Sequence, residues 1–246
     1  MSGTLAMIGF DADDTLWHNE TLYARSQEEF ARLLAPYHEP SWIAQRLHAT
    51  EMRNLKQFGY GIKGFTLSMI ETAIELTEGR IQGHEIQAII DLAREMLQAP
   101  VDLLPGVQPV LERLSRRYPL LLITKGDLFD QTTKIARSGL ADYFQQVEVV
   151  PEKDEATYRQ ILQRQGVAPE HFLMVGNSLR SDILPVVAIG GQAVHIPYAI
   201  TWQHEAVQPP PHLAGSYHQL EHMAALPDLL EAMEQGNPGQ GPAGLP

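Results

Sequence analysis

The 246-residue sequence contains no cysteine. Disulfides, thiolate-held zinc and a thiol nucleophile are therefore excluded. Basic residues are scarce: 18 Lys and Arg stand against 30 Asp and Glu, a formal net charge of −12. That balance disfavours nonspecific contact with nucleic-acid phosphates, so no nucleic-acid partner is expected. A site for an anionic substrate would have to gather its own cations locally. Long apolar runs are also missing. None approaches the ~20 residues that span a bilayer, so no membrane partner is expected. No basic stretch followed by an apolar one opens the chain, so no secretory leader is expected and a cytoplasmic location is. What remains is 44% hydrophobic, ordinary for a globular chain with a sizeable core. The length suits one core domain with an insertion.

The most informative stretch is Ile8-Gly9-Phe10-Asp11-Ala12-Asp13-Asp14-Thr15-Leu16-Trp17. An apolar run feeds into three carboxylates and then resumes. Like charges at the end of a buried strand repel one another and are costly to desolvate. A hard divalent cation such as Mg²⁺ among them would remove that conflict, since it takes oxygen ligands and commonly uses one or two carboxylates beside a substrate phosphate. The alternative is structural: a turn, with Asp14 or Thr15 capping a following helix.

The rest of the chain alternates. Residues 4–11 read as a buried strand. Between 19 and 100, apolar residues recur at helical spacing, among them Leu22, Phe30, Leu33, Leu34, Trp42, Ile43, Leu47, Phe65, Met69, Ile74, Ile89 and Met96. That spacing predicts a bundle of four or five helices with no strand. Inside it, Gly59-Tyr60-Gly61-Ile62-Lys63-Gly64 reads as a loop with positive φ angles, either a plain connector or a substrate-facing loop offering Tyr60 and Lys63. Beyond 101, short apolar runs at 120–123, 147–150, 172–175 and 192–196 read as strands, and helical patterns separate them. The last helix is expected over 226–234. Short buried strands alternating with helices argue for an α/β fold, a doubly wound parallel sheet with a Rossmann-like core. The expected division is a core of 1–18 and 101–235, a helical cap of 19–100, and a Gly- and Pro-rich disordered tail of 236–246. In such sheets ligands sit beyond the carboxyl ends of the strands. The polar clusters Thr124-Lys125-Gly126-Asp127, Pro151-Glu152-Lys153-Asp154 and Gly176-Asn177-Ser178-Leu179-Arg180-Ser181-Asp182 all fall at those ends.

With Asp11-x-Asp13-x-Thr15 after the first strand, Thr124 ending the second, Lys153 after the third, and Gly176 with Asp182 after the fourth, the chain resembles the haloacid dehalogenase-like hydrolases. The resemblance spans nearly the whole chain, and the inserted helices resemble the cap of one branch of that superfamily. It implies a Mg²⁺-dependent phosphatase. Asp11 would be the nucleophile that forms an aspartyl-phosphate, and Asp13 the general acid and later base. The metal would be held by Asp11, Asp182 and the backbone carbonyl of Asp13, with Asn177 as a further candidate. Thr124, Lys125, Gly126 and Lys153 would bind the phosphoryl group. The expected partner is a small phosphorylated metabolite, and a monomer or homodimer is compatible.

Each residue also has a plainer reading: Thr124 as a good strand former, Lys153 as a solvated charge, Asp182 as the cap of a helix at Ile183. Two positions depart from the family pattern. Asn177 stands where an acid is common, and Lys125 where a small polar residue is common. Three alternatives therefore accompany the phosphatase: a hydrolytic haloacid dehalogenase, which attacks carbon and lacks an acid at the position of Asp13; a phosphonate hydrolase using Lys56 or Lys63 as a Schiff-base former; and a non-catalytic binding protein. His218 and His222, four apart, are expected on one helical face, as a surface pair rather than a zinc pair.

Overall fold

The computed structural model describes residues 5–236 apart from 201, 206, 209 and 214. Thr4, the first residue of the expected strand over 4–11, lies outside these residues, as does 237–246, where a disordered tail is expected. Six strands form one sheet: β1 (Met7–Phe10), β2 (Leu120–Lys125), β3 (Gln146–Val150), β4 (Phe172–Gly176), β5 (Gln192–His195) and β6 (His218–Gln219). Their order is β3-β2-β1-β4-β5-β6. β1 pairs in parallel with β2 and with β4, and β5 with β4 and β6. Nine α-helices are described. α1 (Glu20–Leu34), α2 (Pro40–Phe58), α3 (Ile62–Leu76) and α4 (Gly83–Gln98) follow β1. α5 (Val107–Ser115), α6 (Leu128–Ser138), α7 (Glu155–Gln165), α8 (Leu184–Ala188) and α9 (Leu226–Glu234) come later.

The central strands explain themselves. Ile8, Phe10, Leu121, Leu122, Ile123, Leu173, Met174 and Val175 have no exposed surface. Neighbouring residues along a strand point to opposite faces, so full burial of consecutive residues requires a sheet covered on both sides. β3 departs from the expected buried run. It lies at the sheet edge, and Val147 is 36% exposed. β6 has no counterpart among the expected strands. It is only two residues long, and His218 belongs to it, while His222 sits in extended backbone before a 3₁₀ turn. The two histidines therefore share no helical face, because this segment extends the sheet.

The chain divides into two compact units: Met1–His18, Asp102–Thr124 and Ser138–Pro246 form one, and Asn19–Val101 with Lys125–Arg137 the other. The segment Lys125–Arg137 thus groups with the helices, whereas the sequence assigns all of 101–235 to the sheet. Its partners explain this. Lys63 Nζ meets Asp127 Oδ1 at 2.9 Å, Lys134 Nζ meets Asn19 Oδ1 at 3.2 Å, and Arg137 donates to the carbonyl of Leu97 at 3.1 Å. In the first unit the buried core gathers Leu121, Ile123, Tyr158, Ile161, Phe172, Met174 and Val186. Among the described residues no helix is long and apolar enough to cross a membrane.

The helical unit packs Phe30, Leu34, Ile43, Leu47, Phe65, Met69, Ile89 and Met96 into its own core. Pro40 opens α2, where a missing N–H costs nothing and its fixed φ suits the first turn. Two apolar residues from the helical pattern point outward instead: Trp42 and Ile74 are 44% and 45% exposed. Arg46 covers Trp42, its guanidinium 5.8 Å from the ring centroid. The expected loop over 59–64 is shorter than its glycines imply. Gly59 (φ 70°) and Gly61 (φ 111°) make the turn, and α3 already begins at Ile62. Gly64 lies within α3, at a position where a Cβ would come 2.8 Å from the carbonyl oxygen of Gly59.

Two carboxyls are buried in this unit, Asp130 on α6, which pairs with Lys134 at 3.8 Å, and Glu51. Glu51 on α2 is 9% exposed, and burial alone pushes its pKa up to about 7 from 4.5. The folded state holds that proton more tightly than the unfolded chain. Stability therefore falls as pH rises from the unfolded value through about 7, and is flat above it. Glu51→Gln should remove this fall. Relative to the parent, the variant should gain up to about 3 kcal/mol between pH 4 and pH 8. Urea denaturation across that range checks it, and parallel pH profiles for the two proteins would contradict it.

Candidate active site

β1 is the central strand, and the chain turns sharply where it ends. Asp11 still donates its amide to Val175 O on β4 at 2.9 Å. Then Leu16 N returns to Ala12 O at 2.8 Å and Asp14 N to Trp17 O at 2.8 Å. Asp14 takes φ 61°, a left-handed conformation in which aspartate is among the better-tolerated residues. No helix starts here. α1 begins at Glu20, so the capping reading of Asp14 and Thr15 is not realised.

The tight turn brings residues four apart into contact. Thr15 Oγ1 donates to Asp11 Oδ2 at 2.9 Å, and Trp17 Nε1 donates to Asp13 Oδ1 at 2.7 Å. Trp17 is 1% exposed, so its ring is fixed by packing and its N–H by Asp13. Thr15 stands in the Asp11-x-Asp13-x-Thr15 pattern but receives no role from the sequence, and Trp17 is not singled out there. The signal for Trp17 is only its i+4 spacing from Asp13, which also matches an ordinary turn residue.

Lys153, which follows β3, is 3% exposed and far from a solvated charge. Its ammonium group bonds Asp11 Oδ1 and reaches Asp182 Oδ1 at 2.7 Å. Asp182 is 1% exposed, and its second oxygen accepts the Ser178 amide at 3.0 Å. It does not cap a helix at Ile183. It lies within a π-helical turn, Leu179–Ile183, whose capping side chain is Ser178. Gly176 makes this possible, because a Cβ there would overlap the Asp182 carboxylate. Thr124 is the last residue but one of β2, which runs on to Lys125, and is buried at 1% exposure.

These groups carry unequal charge. One ammonium sits between two buried carboxylates, with Asp13 nearby. Burial, then the charge of Asp182, pushes Asp11 up to about 7 against the pull of Lys153. Burial opposes the charge on Lys153, but Asp11 and Asp182 outweigh it and hold the lysine protonated. The remaining excess is negative, which suits a cation. The oxygens that converge belong to Asp11 and Asn177. The single Thr15 hydroxyl meets Asp11 Oδ2 at 2.9 Å and Asn177 Oδ1 at 3.3 Å, and it also accepts the Asn177 amide at 3.1 Å. One hydroxyl proton cannot serve two acceptors fully. All these donors are hard oxygens, the set that Mg²⁺ prefers. Among the described residues no group of three His, Asp or Glu side chains is disposed to hold a metal. A cation here would therefore need amide and backbone oxygens as well.

Other sequence candidates lie in the helical unit. Lys125 Nζ stands 4.4 Å from the centroid of the Tyr60 ring, and Lys63 Nζ is 5.4 Å from that of Phe129. Lys63 also pairs with Asp127, holding that carboxyl below its usual range. Gly126 has φ 136°, and Gln131 packs against it while donating to Lys125 O at 3.0 Å.

Comparison with known proteins agrees with this geometry. Residues 6–190 match the haloacid dehalogenase-like hydrolase family. A solved haloacid dehalogenase-like hydrolase from Xanthomonas campestris is 43% identical, covers 95% of this chain and 94% of its own, and superposes with a TM-score of 0.84. A glyceraldehyde 3-phosphate phosphatase from Pyrococcus furiosus is 29% identical over 54% of this chain, which spans 55% of that relative's length. The 5-amino-6-(5-phospho-D-ribitylamino)uracil phosphatase YigB of Escherichia coli is 22% identical over 79% of this chain and 84% of its own.

Removing Lys153 should leave two buried carboxylates without a cation. Lys153→Met is expected to lose about 3–5 kcal/mol at pH 7 without divalent metal. Adding Asp182→Asn should recover part of that loss. Urea denaturation of the three proteins measures both effects; a single variant as stable as the parent would show that the lysine does not balance this charge.

Proposed function

The chain belongs to the haloacid dehalogenase-like hydrolases, and on that footing we propose that it is a Mg²⁺-dependent phosphatase that hydrolyses a small phosphorylated metabolite through an aspartyl-phosphate. The observation that carries the proposal is the second acid. Asp13 is present, and its carboxylate is held by the Trp17 indole at 2.7 Å. Attack on carbon with halide departure needs no proton donor, whereas expulsion of an alkoxide from phosphorus does.

The steps follow from the residues. An oxygen of Asp11 attacks phosphorus, and the bond from phosphorus to the leaving oxygen breaks. Asp13 protonates that oxygen as it departs. Asp13, now a carboxylate, takes a proton from water, which attacks the acyl phosphate, releases phosphate and regenerates Asp11. Thr15 and Lys153 fix the two oxygens of Asp11. Lys153 and Thr124 offset and bind charge on the phosphoryl group, with the Lys125 amide and Gly126 directly after Thr124 in the chain. Asp11, the Asp13 carbonyl and the Asn177 amide oxygen would hold the metal, and Mg²⁺ would supply electrostatic stabilisation of the transferring group. Asp182, named with the metal ligands from the family pattern, accepts from Lys153 and Ser178 through its two oxygens, and since a carboxylate offers about four lone-pair sites it stays among the residues that would hold the metal. Tyr60 and Lys63, grouped with Lys125 and Asp127, are the groups we assign to reading the substrate beyond its phosphate.

The two phosphatase relatives support this reading. The dehalogenase reading keeps one observation in its favour, the neutral Asn177. A Schiff-base lysine must be buried to shed its charge, and Lys56 and Lys63 are both exposed. The intact set of Asp11, Asp13, Thr124 and Lys153 speaks against a mere binding protein.

A panel of phosphorylated metabolites and one haloacid, each with Mg²⁺ and with EDTA, tests the class. Metal-dependent phosphate release is expected, and metal-independent halide release would overturn the proposal. Asp11→Asn should be folded and without turnover, and Asp13→Asn should lose about 10²–10⁴-fold in kcat. Asn177→Asp should bind Mg²⁺ about tenfold more tightly, since it restores a full charge at a converging oxygen.

A further inference from the structure

The segment between β5 and β6 sends one acid back to the site. Glu205 Oε2 accepts the Ser181 hydroxyl at 2.6 Å, and the Ser178 hydroxyl donates to the same oxygen. Both serines belong to the turn that carries Asn177 and Asp182. Ser178 is tied into that turn four further times: its amide donates to Asp182 Oδ2, its hydroxyl accepts the Ser181 amide at 3.1 Å, and its carbonyl accepts the amides of Asp182 at 2.9 Å and Ile183 at 3.3 Å. A second tether runs alongside, from Arg180 to the carbonyl of His204 at 2.8 Å. Glu205 itself is half-buried, and its amide closes a turn onto Trp202 O at 2.9 Å.

The neighbourhood is one electrostatic unit. The buried Tyr158 hydroxyl donates to Ser181 O at 3.0 Å. Burial, then Asp182, Asp11 and Glu205, push it well above the ordinary tyrosine range. The charge of Glu205 thus reaches the Tyr158 hydroxyl, as those of the two site aspartates do.

We propose that Glu205 is a positioning residue for the cation site, supplying through Ser178 and Ser181 the negative charge that Asn177 lacks and fixing the turn from which Asn177 presents its oxygen. This rests on the metal-dependent reading above. It accounts for a neutral residue in a position where an acid is common. The charge is carried 28 residues further along the chain and delivered from outside the turn. The two serines then share one role. Their hydroxyls point at a single carboxylate oxygen, so the carboxylate is oriented while its charge is kept.

The test separates charge from shape. Glu205→Gln keeps an oxygen acceptor and loses the charge. Glu205→Asp keeps the charge on a shorter arm. Mg²⁺ binding by titration calorimetry and the Mg²⁺-induced rise in Tm are measured for the parent, both variants, and the double variant Glu205→Gln with Asn177→Asp. Expected is about tenfold weaker Mg²⁺ binding in Glu205→Gln, with Tm in EDTA unchanged or raised. Affinity should return partly in Glu205→Asp and largely in the double variant. Equal Mg²⁺ affinity in the parent and Glu205→Gln would overturn the inference. So would a loss that Asn177→Asp fails to restore, since that marks a purely structural tether. A parent that binds no Mg²⁺ by either readout would instead overturn the metal-dependent reading on which the inference stands.

Discussion

One buried ammonium group between two buried carboxylates is the constraint around which the sheet unit is arranged. Lys153 reaches Asp11 on one side and Asp182 on the other, and all three are nearly excluded from water. Desolvating three charges is costly, and Coulomb attraction offsets the cost only with good geometry. The sheet order provides that geometry. β1 lies between β2 and β4, with β3 one strand further out, so the ends of four strands converge where the chain direction switches. Asp11, Thr124, Lys153 and the 176–182 turn each come from a different strand end. The buried apolar strands are what hold those ends in register, as the pairing of Phe10 with Val175 does for Asp11.

The same trio does not balance. Two carboxylates and one ammonium leave a surplus of negative charge, and Asp11 is pushed up first by burial and then by the charge of Asp182. A protein selected only for stability would not retain such a group. In the phosphatase reading proposed above, that surplus would attract a cation and, with a cation bound, would allow an anionic phosphate to approach an anionic nucleophile. Asn177 trims the surplus, and Glu205 places charge just behind the turn. Total charge near the site is therefore set by residues at the ends of β1, β3 and β4 and in the segment leading to β6 together.

Much of this is legible in the sequence because it is local or strand-terminal. An acidic cluster after an apolar run, a threonine, a lysine and an aspartate at successive strand ends are one-dimensional patterns, and the buried strands announce themselves by composition. Other features need the folded chain. Thr15 and Trp17 act through a turn that only the left-handed Asp14 makes tight enough. Glu205 meets Ser178 only after the chain has completed β5 and returned. β6 is too short to leave a periodic signature, so the spacing of His218 and His222 reads as helical. Trp42 and Glu51 are inverted for a shared reason. Hydrophobicity predicts which face of a helix is buried, but Arg46 can shield an outward tryptophan, and α2 can enclose a carboxyl that is neutral when buried.

Lys125 shows how a sequence departure can change meaning. Its place directly after Thr124 reads as an added cation for a phosphate. Its backbone does continue β2, but its ammonium group lies against the Tyr60 ring, and the chain passes into the helical unit at this residue. A cation–π contact of this kind contributes about 0.5–1 kcal/mol at an exposed site. A small polar residue could not make it. The departure at 125 therefore acts on the contacts of the second unit, together with the Lys63–Asp127 pair two residues further on. The departure at 177 acts on charge in the first. The two positions are both unusual for the family pattern, yet they bear on different properties: one on what groups with the helices, the other, in the phosphatase reading proposed above, on how tightly a cation would be held.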